Sequence, residues 1–128
     1  MFSHVVLGSN DLPRSLRFYD ALLGSLGHAP GVLMGHRYMW RTPTGVFGIT
    51  TPIDGQAATP GNGSTIGFAA ASAEQVDASH AAGVAAGGRS IEAPPGWRGE
   101  GAMRMYLAYL RDPDGNKICL LHRAPMAG

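Results

Sequence analysis

Two side chains with reactive potential stand out: His4, near the start of the chain, and Cys119, its only cysteine. A thiol attacks as the thiolate and needs a basic neighbour to form it. His4 is the obvious partner if the fold brings the two together. Tyr109 precedes Cys119 across a turn at an even separation, so both project from one face of a hairpin that carries no bulge. A phenol there donates a hydrogen bond to a bound carbonyl or phosphate. Taken alone, Cys119 reads more simply as a small buried apolar residue. Tyr38 and Trp40 share a strand face with His36, as the wall of an aromatic pocket or as ordinary core. Trp97-Arg98 falls in a loop rich in Pro and Gly (94–101), where an aromatic beside a cation suits a lid over a planar or anionic ligand. A plug that pins the loop is the simpler role for that tryptophan. His80 lies on an apolar helical stripe, and His122 faces away from Cys119. Asp112 and Asp114 belong to a tight Asp-Pro-Asp-Gly-Asn turn and are assigned no chemistry.

The elements that position these residues occur twice. Ser3 to Gly8 alternates as a strand. Ser9-Asn10-Asp11 follows as a turn and helix cap, and Leu12, Leu16, Tyr19, Leu23 and Leu26 recur at helical spacing. Ser64 to Ala69 is again a strand. Ser72 with Gln75 forms a capping box, and Ala73, Val76, His80 and Val84 make a weaker stripe ended by Gly87-Gly88. Each half continues into strands: about 31–34, His36–Thr42 and Val46–Thr51 in the first, about 89–92, Met103–Arg111 and Lys117–Arg123 in the second. Residues 54–63 (DGQAATPGNG) are turn-rich and read as a linker. In the opening strand Val5 and Leu7 suit the helix-covered face, which turns His4 to the opposite one. By the repeat, Thr65 takes the place of His4, Cys119 that of Gly48, and Tyr109 that of Trp40.

Composition narrows the class. The chain has 128 residues, 45% of them apolar, which bounds it to one domain with a core of its own. Ten basic residues nearly balance nine acidic ones, so a nucleic-acid footprint is not expected. The longest apolar runs fall well below the ~18 residues of a membrane span. A secretory leader is not evident, and the cytoplasm is the default expectation. One cysteine excludes an internal disulfide framework. No Gly-rich phosphate loop follows a strand, and no Gly-x-Ser-x-Gly elbow occurs.

The doubled plan carries a resemblance, together with the His4 strand running into Asp11-Leu12-Pro13-Arg14-Ser15 and Phe18-Tyr19 and the Arg111–Asn116 turn. The chain resembles the glyoxalase/bleomycin-resistance/extradiol-dioxygenase group, the vicinal oxygen chelate superfamily, over about residues 2–123. The resemblance implies an α+β fold, with two βαβββ modules forming a curved mixed-sheet cup and the helices outside. Residues 1–128 are then a single domain, with modules at 2–53 and 64–123 joined by the 54–63 linker. Enzymes of the group hold a divalent metal in the cup with one residue from each of four strands. Those positions carry over to His4, Gly48, Thr65 and Cys119, of which only His4 keeps a family ligand type. Cys119 and His4 make two ligands, and a catalytic site takes about three. No metal or other cofactor is therefore expected. The expected function is binding of a small hydrophobic or aromatic molecule by His4, Tyr38, Trp40, Thr65, Tyr109 and Cys119, with Trp97 near the rim. The alternative is a metal-dependent lyase or dioxygenase with an unusual ligand set. Relatives of this size usually pair, so a homodimer is expected.

Overall fold

The computed structural model describes residues 1–124. Strand β1 (His4–Gly8) leads into α1 (Leu12–Ser25), followed by β2 (Val32–Met34), β3 (Arg37–Thr42) and β4 (Gly45–Thr50). The order then repeats as β5 (Ile66–Ala69), α2 (Ala73–Ala85), β6 (Arg89–Arg98), β7 (Met105–Arg111) and β8 (Lys117–Arg123). Each half forms a four-stranded sheet, ordered β1-β4-β3-β2 and β5-β8-β7-β6. The first pair in each sheet is parallel and the rest are antiparallel. A strand, a helix and a return hairpin produce that pattern, because only the helical crossover can bring two strands side by side in the same direction.

Local chemistry sets the helix starts. Asp11 accepts from the Arg14 amide at 3.0 Å and Pro13 lies in the first turn of α1. Ser72 accepts from the Gln75 amide at 3.1 Å, while Gln75 reaches back to the Ala71 amide at 2.6 Å. Both satisfy amides that the first turn leaves without helical partners. The helices cross closely at Gly83. A Cβ there would lie 2.7 Å from Leu110 Cδ1 and 3.1 Å from Leu22 Cδ1, so only glycine allows this approach.

One core serves both halves. Phe18, Tyr19, Leu22 and Leu23 of α1 meet Val76 of α2, with Trp40, Phe47 and Ile49 from the first sheet and Ala108, Leu110, Ile118 and Leu120 from the second. Tyr19 touches the Phe18, Trp40 and Phe47 rings, and Phe47 meets Phe68 edge-on at 5.1 Å. An aromatic chain thus runs from α1 across the seam into β5.

The turn expected to be inert joins the halves. Asp112 is buried and accepts from Tyr19 Oη at 2.6 Å, Asn116 Nδ2 at 2.9 Å and the backbone amides of Asp114 and Asn116 at 2.9 Å each. Asp114 accepts from Arg14 at 2.7 Å, Ser15 Oγ at 2.9 Å and the Asn10 amide at 2.9 Å. Asn10 also exchanges two hydrogen bonds with the Ala58 backbone, fastening the 54–63 segment.

The loop expected at 94–101 is largely strand. β6 continues to Arg98, with its pairing to β7 lapsing between Ile91 and Gly96. Pro94 and Pro95 sit in that lapse, where a missing N–H leaves no ladder bond unmade.

Candidate functional site

Strand register assigns each candidate to a face. Phe47, Ile49, Ile118 and Leu120 belong to the shared core, so residues of the same parity face the helices. His4 and Val6 alternate with Val5 and Leu7 and turn away from the helices, beside Gly48. On the second sheet Tyr109 stands directly opposite Cys119, and Gly67 pairs Cys119 from the other side. Thr65 precedes β5 and falls on this outward face by alternation with Ile66. The structure therefore groups Tyr109 with Cys119 on one sheet and His4 with Gly48 on the other, and the two sheets share no hydrogen-bonded strand pair.

Tyr38 and Trp40 fall on the other face. Trp40 pairs Phe47 and Tyr38 pairs Ile49, both core positions. Trp40 is 2% exposed and its Nε1 donates to Asp20 at 3.1 Å. The counterpart of Tyr109 is Met39, opposite Gly48, rather than Trp40. The cause is loop parity. Pro43 and Thr44 separate the pair Thr42/Gly45, whereas Asp112–Asn116 separate the pair Arg111/Lys117. An even loop and an odd loop put residues at the same separation on opposite faces. Trp97 also lies on the helix side. It pairs Tyr106, whose hydroxyl donates to Asp77 of α2 at 2.7 Å, and Arg104 stacks on its ring at 4.2 Å.

The Tyr109–Cys119 pair has a charged cover that the sequence did not announce. Lys117 Nζ lies 4.6 Å from the Tyr109 ring centroid and pairs with Glu92. Glu92 has φ 60, the one positive φ among described non-glycine residues. Such backbone strain persists where the surroundings enforce it, here the β6 irregularity and the Lys117 ion pair. Burial pushes the Cys119 thiol up, with Tyr109 and Lys117 pulling it down less strongly. The Tyr109 phenol is raised by burial and by Cys119 and Glu92. Both groups are neutral at pH 7, so the pair is a weakly polar surface rather than a poised nucleophile.

A cavity of about 340 Å³ opens at the seam between the modules. The facing edges of β1 (Val5 and the residues before it) and β5 frame it, and Leu23, Trp40, Phe47 and Phe68 form its inner wall. His4, His28, Thr42 and Thr44 supply polar groups around it. Ser3 Oγ holds His4 Nδ1 at 2.7 Å, which leaves Nε2 for a ligand. Neither β1 nor β5 has a hydrogen-bonded strand on this edge, so backbone donors and acceptors also line the opening. His4 and Trp40 are thus brought to one cavity, though from opposite faces of their sheet. Tyr109, Cys119 and Trp97 do not reach it, and Tyr38 packs against the core.

The four positions that hold a metal in enzymes of the resembled group do not suit one here. Gly48 offers no side chain, and the Met39 thioether occupies the space where its Cβ would project. Cys119 is a buried neutral thiol, and a hydroxyl at Thr65 is a poor ligand for zinc or iron. Among the described residues no three His, Cys, Asp or Glu side chains are grouped to hold an ion.

A family model for the glyoxalase-like domain matches residues 4–121, nearly the whole chain. This chain belongs to the glyoxalase-like domain family. A solved glyoxalase/bleomycin resistance protein from Albidiferax ferrireducens is similar to it at 66% identity, covering 96% of this chain and 99% of that one, with a TM-score of 0.93. A glyoxalase/bleomycin resistance protein/dioxygenase family enzyme from Burkholderia phytofirmans covers 95% and 98% at 19% identity and TM-score 0.71. A glyoxalase-related enzyme from Fulvimarina pelagi covers 99% of both chains at 19% identity and TM-score 0.72. The latter two share the fold. No curated protein matches. The glyoxalase-like architecture of paired βαβββ modules is the one the resemblance implied. Among the described residues no helix is long and apolar enough to cross a membrane.

Proposed function

We propose that this glyoxalase-like protein binds a small apolar or aromatic molecule at the seam between its modules, without a catalytic metal. The seam cavity carries the proposal. Its volume falls within the range of small-molecule sites, and its wall is apolar with a few polar groups at the opening. The donor set at His4, Gly48, Thr65 and Cys119 supports the metal-free half of the reading. The outward pair Tyr109–Cys119 is a further ligand contact if a second copy of the chain covers that face, in line with a homodimer. Sequestration or presentation of the bound compound suits such a site.

Thermal-shift screening of untagged protein against apolar and aromatic compounds tests binding. The expected result is a ligand that stabilises wild-type protein and loses its effect in Val5→Phe. Val5 pairs Phe47, is half-buried and lines the cavity from that same face, so a larger side chain there narrows the space, and the melt without ligand checks that the variant folds. Binding unchanged in that variant refutes the location. A stoichiometric divalent ion in untagged protein, lost in His4→Ala, refutes the metal-free reading. Light scattering after gel filtration tests the dimer.

A further inference from the structure

We infer that the ligand of the seam cavity is a neutral planar aromatic molecule bearing one hydrogen-bonding group, and that ionised ligands are excluded. This inference rests on the reading that the seam cavity is the binding site. Three observations carry it.

The inner wall is aromatic and already ordered. Trp40 and Phe47 lie 5.7 Å apart, and Phe47 meets Phe68 edge-on at 87°. Tyr19 contacts both Trp40 and Phe47 from behind, so these rings are held by the core rather than by the ligand. A planar guest extends an existing edge-to-face series and orders no wall residue on entry.

The wall also carries no carboxylate or ammonium. The cavity is lined by no Lys, Arg, Asp or Glu, and His4 and His28 are its ionisable side chains. The Asp20 carboxylate behind Trp40 accepts from the Trp40 Nε1 and the Gly31 amide on Oδ1 and is not itself part of the lining. A carboxylate or ammonium ligand would leave water without a counter-charge, which binding sites avoid.

Polar side chains on the lining are few: Ser3, His4, His28, Thr42 and Thr44. His4 Nε2 is free while Nδ1 is held by Ser3, and the unpaired edges of β1 and β5 expose amides and carbonyls. A single hydroxyl on the guest can be met there while its ring lies on Trp40, Phe47 and Phe68.

The experiment compares phenol, cyclohexanol and benzoate at pH 8. Each is titrated into the ¹⁵N-labelled protein while the Trp40 indole N–H signal is followed. The chain has two tryptophans, and Trp97, on the far side of the second module, serves as the internal control once Trp97→Phe has assigned the signals. Phenol is expected to shift the Trp40 signal saturably, about fivefold more tightly than cyclohexanol of similar size. Benzoate is expected to bind at least about tenfold more weakly than phenol. Val5→Phe, which narrows the cavity beside Phe47, should weaken all three. Cyclohexanol binding as tightly as phenol, or benzoate more tightly, overturns the ligand class while leaving the cavity as a binding site. No saturable shift with any probe overturns the class and the site together.

Discussion

Replacing Asp112 by Asn tests whether the β7–β8 turn is the clasp between modules. The carboxylate is 5% exposed and accepts four hydrogen bonds, from Tyr19 Oη, Asn116 Nδ2 and two backbone amides. An amide can keep the two backbone donors on its oxygen. Its NH₂ then faces the Tyr19 hydroxyl and the Asn116 NH₂. The hydroxyl can rotate to accept, but two amide NH₂ groups cannot bond each other. One charge-assisted bond is lost outright and the other three become neutral. At about 1.5–3 kcal/mol for a bond to a charged group, the expected cost is about 3 kcal/mol. For a chain of this size that lowers Tm by roughly 12 °C. Tyr19→Phe removes only the hydroxyl, at about 1.5 kcal/mol. The double variant should then cost clearly less than the sum, because Asp112→Asn already weakens the contact that Tyr19→Phe removes. Calorimetric melts and urea titrations of the four proteins at pH 7 measure this cycle. Additive losses, or an Asp112→Asn cost below about 1 kcal/mol, refute the reasoning, since a turn former acting alone loses no more than that.

Four further outcomes are expected. Burial and Asp112 raise the Tyr19 pKa well above its ordinary 10.0, so the unfolded state loses its proton first. Stability is then full below about pH 10 and falls as pH rises toward the folded-state value, and Tyr19→Phe should flatten this alkaline limb in urea titrations at pH 9 to 11. Cys119, its thiol raised by burial, should react slowly with a thiol reagent at pH 8 until guanidinium exposes it. Lys117→Ala should slow the native reaction further, because Lys117 pulls the thiol pKa down. Glu92→Gly should be neutral to stabilising by up to about 1 kcal/mol in urea titrations, since relief of a positive φ of 60 outweighs a half-exposed ion pair. Phe68→Ala should cost about 3 kcal/mol and enlarge the seam cavity, so that bulkier aromatics than phenol bind the Trp40 wall in the same titration.

Periodicity made the repeated architecture legible, because the helix stripes and strand alternations report local burial directly. Asp11 and Ser72 were readable as caps for the same reason: a cap bonds within its own turn. What failed was anything fixed by a partner elsewhere in the chain. The faces of Tyr38 and Trp40 depend on whether a loop holds an even or odd number of residues, and the two hairpins differ in that respect. Trp97 was expected at a loop rim, but Pro94 and Pro95 mark a lapse in the pairing of a strand that runs on to Arg98. Asp112 and Asp114 read as turn formers because their partners, Tyr19, Arg14 and Ser15, lie far away in the sequence. Of the seven candidate ligand contacts, His4 and Trp40 line the seam cavity, while Tyr109 and Cys119 share a face elsewhere. The Lys117–Glu92 cover had no sequence signal beyond two unremarkable charges.

The grip of the β7–β8 turn on the first module has a consequence for the continuity of the polypeptide. With Asp112 and Asp114 holding Tyr19, Arg14, Ser15 and Asn10, and Asn10 keeping the Ala58 stretch on its own module, the covalent path through residues 61–63 is redundant in the folded molecule. A protease cut near Gly61-Asn62-Gly63 should leave two fragments that migrate as one particle under native conditions and part only in denaturant. Fragments made separately should reassemble on mixing, each supplying the donors or carboxylates that the other lacks.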